Sequence, residues 1–332
     1  MIYAVNNNGD VFEYGLDIIK DDFRGLDLKF LKNKIMSPYV IQFGLPDKVN
    51  TCRQQLLDFF ANEKNPISYF FYEVITYADT LPLSSALVDN GKKLNLFSAQ
   101  KNMPYMNYCD LWVWANSHTF DTRGKTPLFD KKIEKSFLLL NNKNKPERKY
   151  ITSYILGNKD LQSRSVVSWW TPAEKTYDKV YDWNNLNLKG AQKLKNKIIP
   201  KNSDNLDALY KQCFCRIVTE TMFDNYANIS EKTFYNFIHC TPFVLVAPKH
   251  TLKLLHELGF QTFGDYWPED YDHFEGEERL KRIQKTIDKI GRMSNNALNE
   301  MYNDMKPRLI YNFKHISNLN KIYTNLYLEG LS

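Results

Sequence analysis

The sequence predicts an α/β protein of two domains, and three observations lead there. Short apolar runs alternate with segments of helical period, as parallel strands joined by helices do. At 332 residues the chain is long for one hydrophobic core and comfortable for two. Its 43% hydrophobic and 25% charged residues are ordinary for a globular protein, and the 14% aromatic content supplies large side chains for two cores.

Taken in order, residues 3–14 alternate around Asn-Asn-Gly-Asp, a turn sequence that favours positive φ, and predict an opening hairpin. Residues 51–62 read as a helix, 68–76 (SYFFYEVIT) as a strand, 83–90 as a helix stopped by Gly91, and 94–99 as a strand. Residues 110–116 (DLWVWAN) are expected to add one more strand. A polar stretch with Gly124 and Pro127 places the domain boundary near 130. The expected units are a first domain, 1–130, a second, 131–305, and a helical segment, 306–332, that crosses back over the first domain.

The second unit begins with a strand at 136–140, followed by a basic run holding Arg148 and by a strand at 166–170. Residues 189–201 contain five lysines and no acid. They read as a solvated face, with a phosphate-contacting lobe as the alternative. From 216 to 263 the chain reads strand, loop, helix, strand and helix, the last closed by Gly259. Residues 279–290 carry Leu280, Ile283, Ile287 and Ile290 in helical spacing.

Bulk properties exclude several classes. The longest apolar runs fall far short of the roughly 20 residues a membrane helix needs, and no basic start precedes an apolar stretch at the N-terminus. The expected setting is therefore the cytoplasm, with no membrane span. Five scattered cysteines suggest reduced, buried thiols. Cys213 and Cys215 share one strand face, but no further ligands complete a zinc site, so no metal is expected. Neither GxxxxGK[ST] nor GxGxxG is present, and GxSxG and HExxH are also missing. A net charge of +6 favours an anionic partner.

In a mainly parallel sheet, ligands gather beyond the carboxyl ends of strands. That singles out residues 73–79, 100–105 and 117–123 in the first unit. In the second, Asn141 and Arg148 follow a strand, and an arginine there can make forked hydrogen bonds to a diphosphate. Glu220 ends another strand, beside Thr219, Thr221 and Asn225, groups of the type sugars need. Ser230 and Glu231 fit a helix N-cap followed by a first-turn acid, a common stabilising device. Glu231 beside Lys232 also suits a nucleotide-sugar, with the acid on ribose hydroxyls and the cation on phosphates. His239 reads as a packed histidine.

Thr219-Glu220-Thr221, a loop, then ISEKTFYNFIHCTPFVLVAP and a helix ending ELGFQTF together resemble the donor-binding half of the α1,3-fucosyltransferase-like glycosyltransferases and their phage and viral relatives. The likeness spans roughly residues 136–290 and is specific around 219–263. It implies a GT-B fold, two Rossmann-like domains facing a cleft with 1–130 as the acceptor domain and 131–305 as the nucleotide-sugar-binding domain, ribose binding by Glu231, diphosphate binding by Lys232 and Arg148, and no essential metal. The family's asparagine after Glu220 is replaced here by Thr221, and the loop before Ser230 is one residue longer.

The expected activity is an inverting, metal-independent transfer from a nucleotide-diphosphate sugar, which is a co-substrate and not a resident cofactor, to a hydroxyl acceptor. Glu73 is the first candidate for the general base and Asp79 the second. Two alternatives stand beside it: a transferase decorating modified bases of viral DNA, motivated by the lysine run, and a non-catalytic module that binds a sugar or nucleotide.

Overall fold

The computed structural model describes residues 2–5, 11–13, 31, 33–42, 49–71, 77–141, 145–169, 203–224 and 226–332. They fall into two compact units, Met1–Asp121 with Asn318–Ser332, and Thr122–Ser317. Each unit is built on a sheet dominated by parallel strands, so the chain is a mixed α/β protein.

The first sheet contains β1 (Ile2–Val5), β2 (Val11–Glu13), β3 (Tyr39–Gln42), β4 (Ile67–Phe71), β5 (Leu94–Ser98) and β6 (Asn107–Tyr108), in the order β2-β1-β3-β4-β5-β6. β1 and β2 pair antiparallel, with Tyr3 opposite Glu13 and Val5 opposite Val11, as the opening hairpin requires. The remaining neighbours are parallel. All five residues of β4 are buried, which is why the strand reads as a continuous aromatic run and not as an alternating one. Helix α1 (Val49–Phe59) and helix α2 (Tyr77–Asp89) are the crossovers. Gly91 takes φ +75° just past α2, the left-handed conformation that stops a helix.

Residues 110–116 correct the sequence reading. Leu111–Asn116 forms helix α3, not a strand. The Asp110 side chain accepts from the backbone N–H of Val113 at 2.9 Å and so caps the helix. Leu111, Val113, Trp114 and Ala115 are all buried, so a run apolar on every side marks a core helix here.

The second sheet contains β7 (Lys135–Asn141), β8 (Ser165–Trp169), β9 (Cys213–Thr219) and β10 (Phe243–Val246), all parallel and ordered β10-β9-β7-β8. Helices α4 (Pro146–Gly157) and α5 (Lys159–Ser163) join β7 to β8, and α6 (Ser203–Gln212) leads into β9. Helix α7 (Glu231–Ile238) joins β9 to β10, and α8 (Thr251–Glu257), α9 (Gly276–Gly291) and α10 (Asn295–His315) follow. The step from β7 to β8 runs opposite to the step from β9 to β10. Right-handed crossovers in opposite directions put α4 and α7 on opposite faces. Accordingly α9 packs with α4, whereas α10 packs with α7.

Gly259 closes α8 at φ +86°, and a Cβ there would fall 2.7 Å from His315 Nε2. Only glycine satisfies both the backbone and the approach of α10. At the other end of α8, the Asp272 carboxylate accepts from the N–H groups of Leu252 and Lys253 and pairs with the fully buried Arg279 at 3.2 Å.

The chain ends in α11 (Leu319–Glu329), which belongs to the first unit. Its Tyr327 ring lies 5.2 Å from Phe97 and 5.3 Å from Trp114, and its hydroxyl is 3.0 Å from both Ser37 Oγ and Ser68 Oγ. The five cysteines are buried, two in the first unit and three in the second. Among the described residues, no helix is long and apolar enough to cross a membrane, and no group of three or more His, Cys, Asp or Glu could hold a metal ion.

Candidate functional site

The strand order of the second sheet reverses between β7 and β9. At such a switch point the following helices leave toward opposite faces, and the space beyond the two carboxyl ends is where ligands enter an open parallel sheet. β7 ends at Asn141, and β9 at Thr219. Thr219 Oγ1 donates to Asn141 Oδ1 at 2.5 Å, while Asn141 Nδ2 donates to Thr152 Oγ1 at 3.0 Å. Asn141 thus ties both strand ends to α4.

Glu220 comes next and is 0% exposed. Its Oε1 accepts from the Ser230 N–H at 3.0 Å and from Thr233 Oγ1 at 2.6 Å, and its Oε2 accepts from Ser230 Oγ. Lys232 Nζ stands 3.9 Å from Oε2. The carboxylate therefore faces inward, fixing the first turn of α7 against the end of β9. Ser230 also caps that helix by accepting from the Lys232 N–H.

The first turn of α4 lies across the switch point. Pro146 opens the helix, and no side chain caps it at Lys145. Arg148, 4% exposed, donates through Nη2 to the carbonyls of Glu220 at 2.9 Å and Thr219 at 3.4 Å. Among the described residues its Nε–H has no hydrogen-bond partner, nor does Oε1 of the buried Glu147, 4.0 Å away. Burial lowers the proton affinity of the guanidinium, with Glu147, Glu220 and Glu231 pulling the other way. Burial also raises the Glu147 carboxyl. Lys145 Nζ donates to the Thr221 carbonyl, adding a second cation to the same rim.

Glu231 and Lys232 remain open to solvent, their side chains 34% and 25% exposed. Lys232 Nζ lies 3.4 Å from Glu231 Oε1, 3.1 Å from Thr221 Oγ1 and 3.0 Å from Ser230 Oγ. One accessible carboxylate, the two ammonium groups of Lys145 and Lys232 and one buried guanidinium thus lie by the first turns of α4 and α7, where helix dipoles favour an anion.

The chain matches no family model, and no curated protein or solved structure is significantly similar to it.

Asn141, Arg148, Glu220, Thr221, Glu231 and Lys232 come together at this edge, with roles that differ. Asn141 and Glu220 spend their polar atoms inside the protein, while Glu231 and Lys232 reach outward. Asn225 and Glu73 lie outside the described residues, and so do residues 189–201. Asp79 falls in the first turn of α2, in the other unit, and its side chain is likewise outside the described residues. Lys145 and Glu147 were missed by the sequence reading. Their signal was the Lys-Pro-Glu-Arg string after an apolar strand, which places Pro at the first helical position and charge in the first turn.

Proposed function

We propose that the chain is a glycosyltransferase of GT-B type that moves a sugar from a nucleotide-diphosphate donor to a hydroxyl acceptor. The observation that carries this reading is the switch point between β7 and β9, where Arg148, Lys145 and Lys232 stand with Glu231 around the N-termini of α4 and α7. A diphosphate needs cations and amide donors, and a ribose needs a carboxylate beside them.

In this scheme Glu231 accepts from the ribose hydroxyls, and Lys232 and Arg148 hold the diphosphate. A carboxylate general base takes the acceptor's proton. The acceptor oxygen attacks C1 of the sugar from the side opposite the diphosphate, which leaves with the electron pair of the broken C–O bond and inverts the configuration. Lys232 and Arg148 lower the barrier by stabilising the charge that develops on the leaving oxygen. The acceptor is a glycan or modified-base hydroxyl.

A thermal-shift panel of nucleotide-sugars tests the reading, because a bound donor raises the midpoint with the ratio of its concentration to Kd. Stabilisation by at least one donor is expected, and it is lost in Lys232→Met and Glu231→Gln. A flat response to every donor contradicts the proposal.

A further inference from the structure

Helix α7 presents one large side chain that this scheme leaves without a role. Tyr235 is 39% exposed, whereas its neighbours Phe234 and Phe237 are buried. It follows Glu231 by four residues, so both lie on the outer face of the helix, about 6 Å apart along its axis. Side chains on a helix lean toward its N-terminus, which carries the Tyr235 ring toward Glu231.

The ring is held in place from behind. His239 meets it edge-on, with centroids 6.3 Å apart and planes at 63°. His239 is itself stacked on Tyr210 at 4.0 Å, with Nδ1 2.6 Å from the Tyr235 carbonyl and Nε2 2.9 Å from Asp207 Oδ1. The Tyr210 hydroxyl accepts from Arg216 Nη1, which also donates to the Lys232 carbonyl at 3.2 Å. An aromatic surface fixed in this way loses little freedom when a flat ligand covers it.

Glu231 acts electrostatically on both sides. It opposes the burial that lowers Arg148, and it adds to the burial that raises the Tyr235 phenol, with Arg216 opposing there. Cations, carboxylate and aromatic ring therefore follow one another along this rim. Phosphate, ribose and base follow one another in the same order in a nucleotide.

We infer that Tyr235 forms a base-stacking subsite, its ring covering the nucleobase of a nucleoside diphosphate whose ribose is held by Glu231. The inference rests on the donor reading above and adds the group that holds the base. Stacking on an aromatic side chain contributes substantially to affinity while tolerating different bases, so Tyr235 supplies strength of binding more than choice of base.

Calorimetric titration of adenosine, guanosine, uridine and cytidine diphosphates and of inorganic diphosphate tests it on the full chain, on Tyr235→Ala and on Tyr235→Phe. The best nucleotide is expected to bind the unmodified chain about tenfold more tightly than inorganic diphosphate, and Tyr235→Ala to lose about tenfold for that nucleotide alone. Tyr235→Phe keeps both affinities. If Tyr235→Ala binds the nucleotide as the unmodified chain does, or loses inorganic diphosphate equally, the base subsite is overturned and the donor reading stands. If the unmodified chain binds no nucleotide and no inorganic diphosphate, both fall.

Discussion

The first sheet lays its parallel strands in one continuous direction, β1, β3, β4, β5 and β6, whereas the second reverses direction between β7 and β9. In the first, the described polar groups near the carboxyl edge bond within the unit. Tyr69 donates to Gln42 at 2.7 Å, Ser98 Oγ accepts from the Gln100 N–H, and Asp110 caps α3. In the second, the reversal sends α4 and α7 to opposite faces and gathers charge between their first turns. Among the described residues, the same βα pattern thus turns polar groups inward at one edge and gathers charge at the other, and the two sheets differ in strand order.

If the first sheet depends on α11 for closure, truncating Tyr327 should cost most. Tyr327→Ala removes a ring packed on Phe70, Phe97 and Trp114 and is expected to destabilise by about 3–5 kcal/mol, read as a lowered denaturant midpoint. In the second unit, Glu220→Ala leaves the Ser230 N–H and the Thr233 hydroxyl without their buried acceptor. A loss of about 2–3 kcal/mol follows, together with weakened nucleotide binding, since the first turn of α7 is no longer held.

A pH test separates the scaffold of the second unit from its site. Burial raises the Glu269 carboxyl to about 7, against hydrogen bonds from Thr262 and Phe263 that favour the charged form. The folded state therefore holds that proton more tightly than the unfolded state. Its contribution to stability is complete below pH 4.5 and disappears as pH rises through 7. Thermal unfolding between pH 4.5 and 8 should show a decline of roughly 3 kcal/mol from this group, and Glu269→Gln should flatten it.

Two smaller changes sharpen the contrast. Tyr327→Phe keeps the ring but removes its hydroxyl contacts with Ser37 and Ser68. It should cost about 1 kcal/mol, because the two serines remain bonded to each other at 2.6 Å. Lys232→Met, at a partly exposed position, should change the unfolding midpoint by no more than about 0.5 kcal/mol. If nucleotide binding disappears while stability holds, the charged edge serves a ligand; equal losses of both would make it a structural feature.

The α/β class was legible because strands buried on both faces, such as β4 and β9, stand out as continuous apolar runs. The same signal misled at residues 110–116, where a six-residue run is too short for its period to tell helix from strand. The Asp110 cap decided it. At the site, the helix start at Ser230, Glu231 and Lys232 was legible because serine caps a helix and an acid suits its first turn. The inward turn of Glu220 was not, since its partners Ser230 and Thr233 lie 10 and 13 residues further on. Strand order left no trace in local sequence at all, yet it is what brings Arg148 of α4 against the carbonyls that end β9.

Hydrogen–deuterium exchange with and without saturating nucleoside diphosphate tests the central claim most directly, because it reports which sheet edge the ligand covers. Slowed exchange is predicted over residues 145–150 and 230–236, the first turns of α4 and α7, with the loop at 99–106 unchanged. Protection confined to the loops of the first sheet, or protection nowhere, would contradict the account.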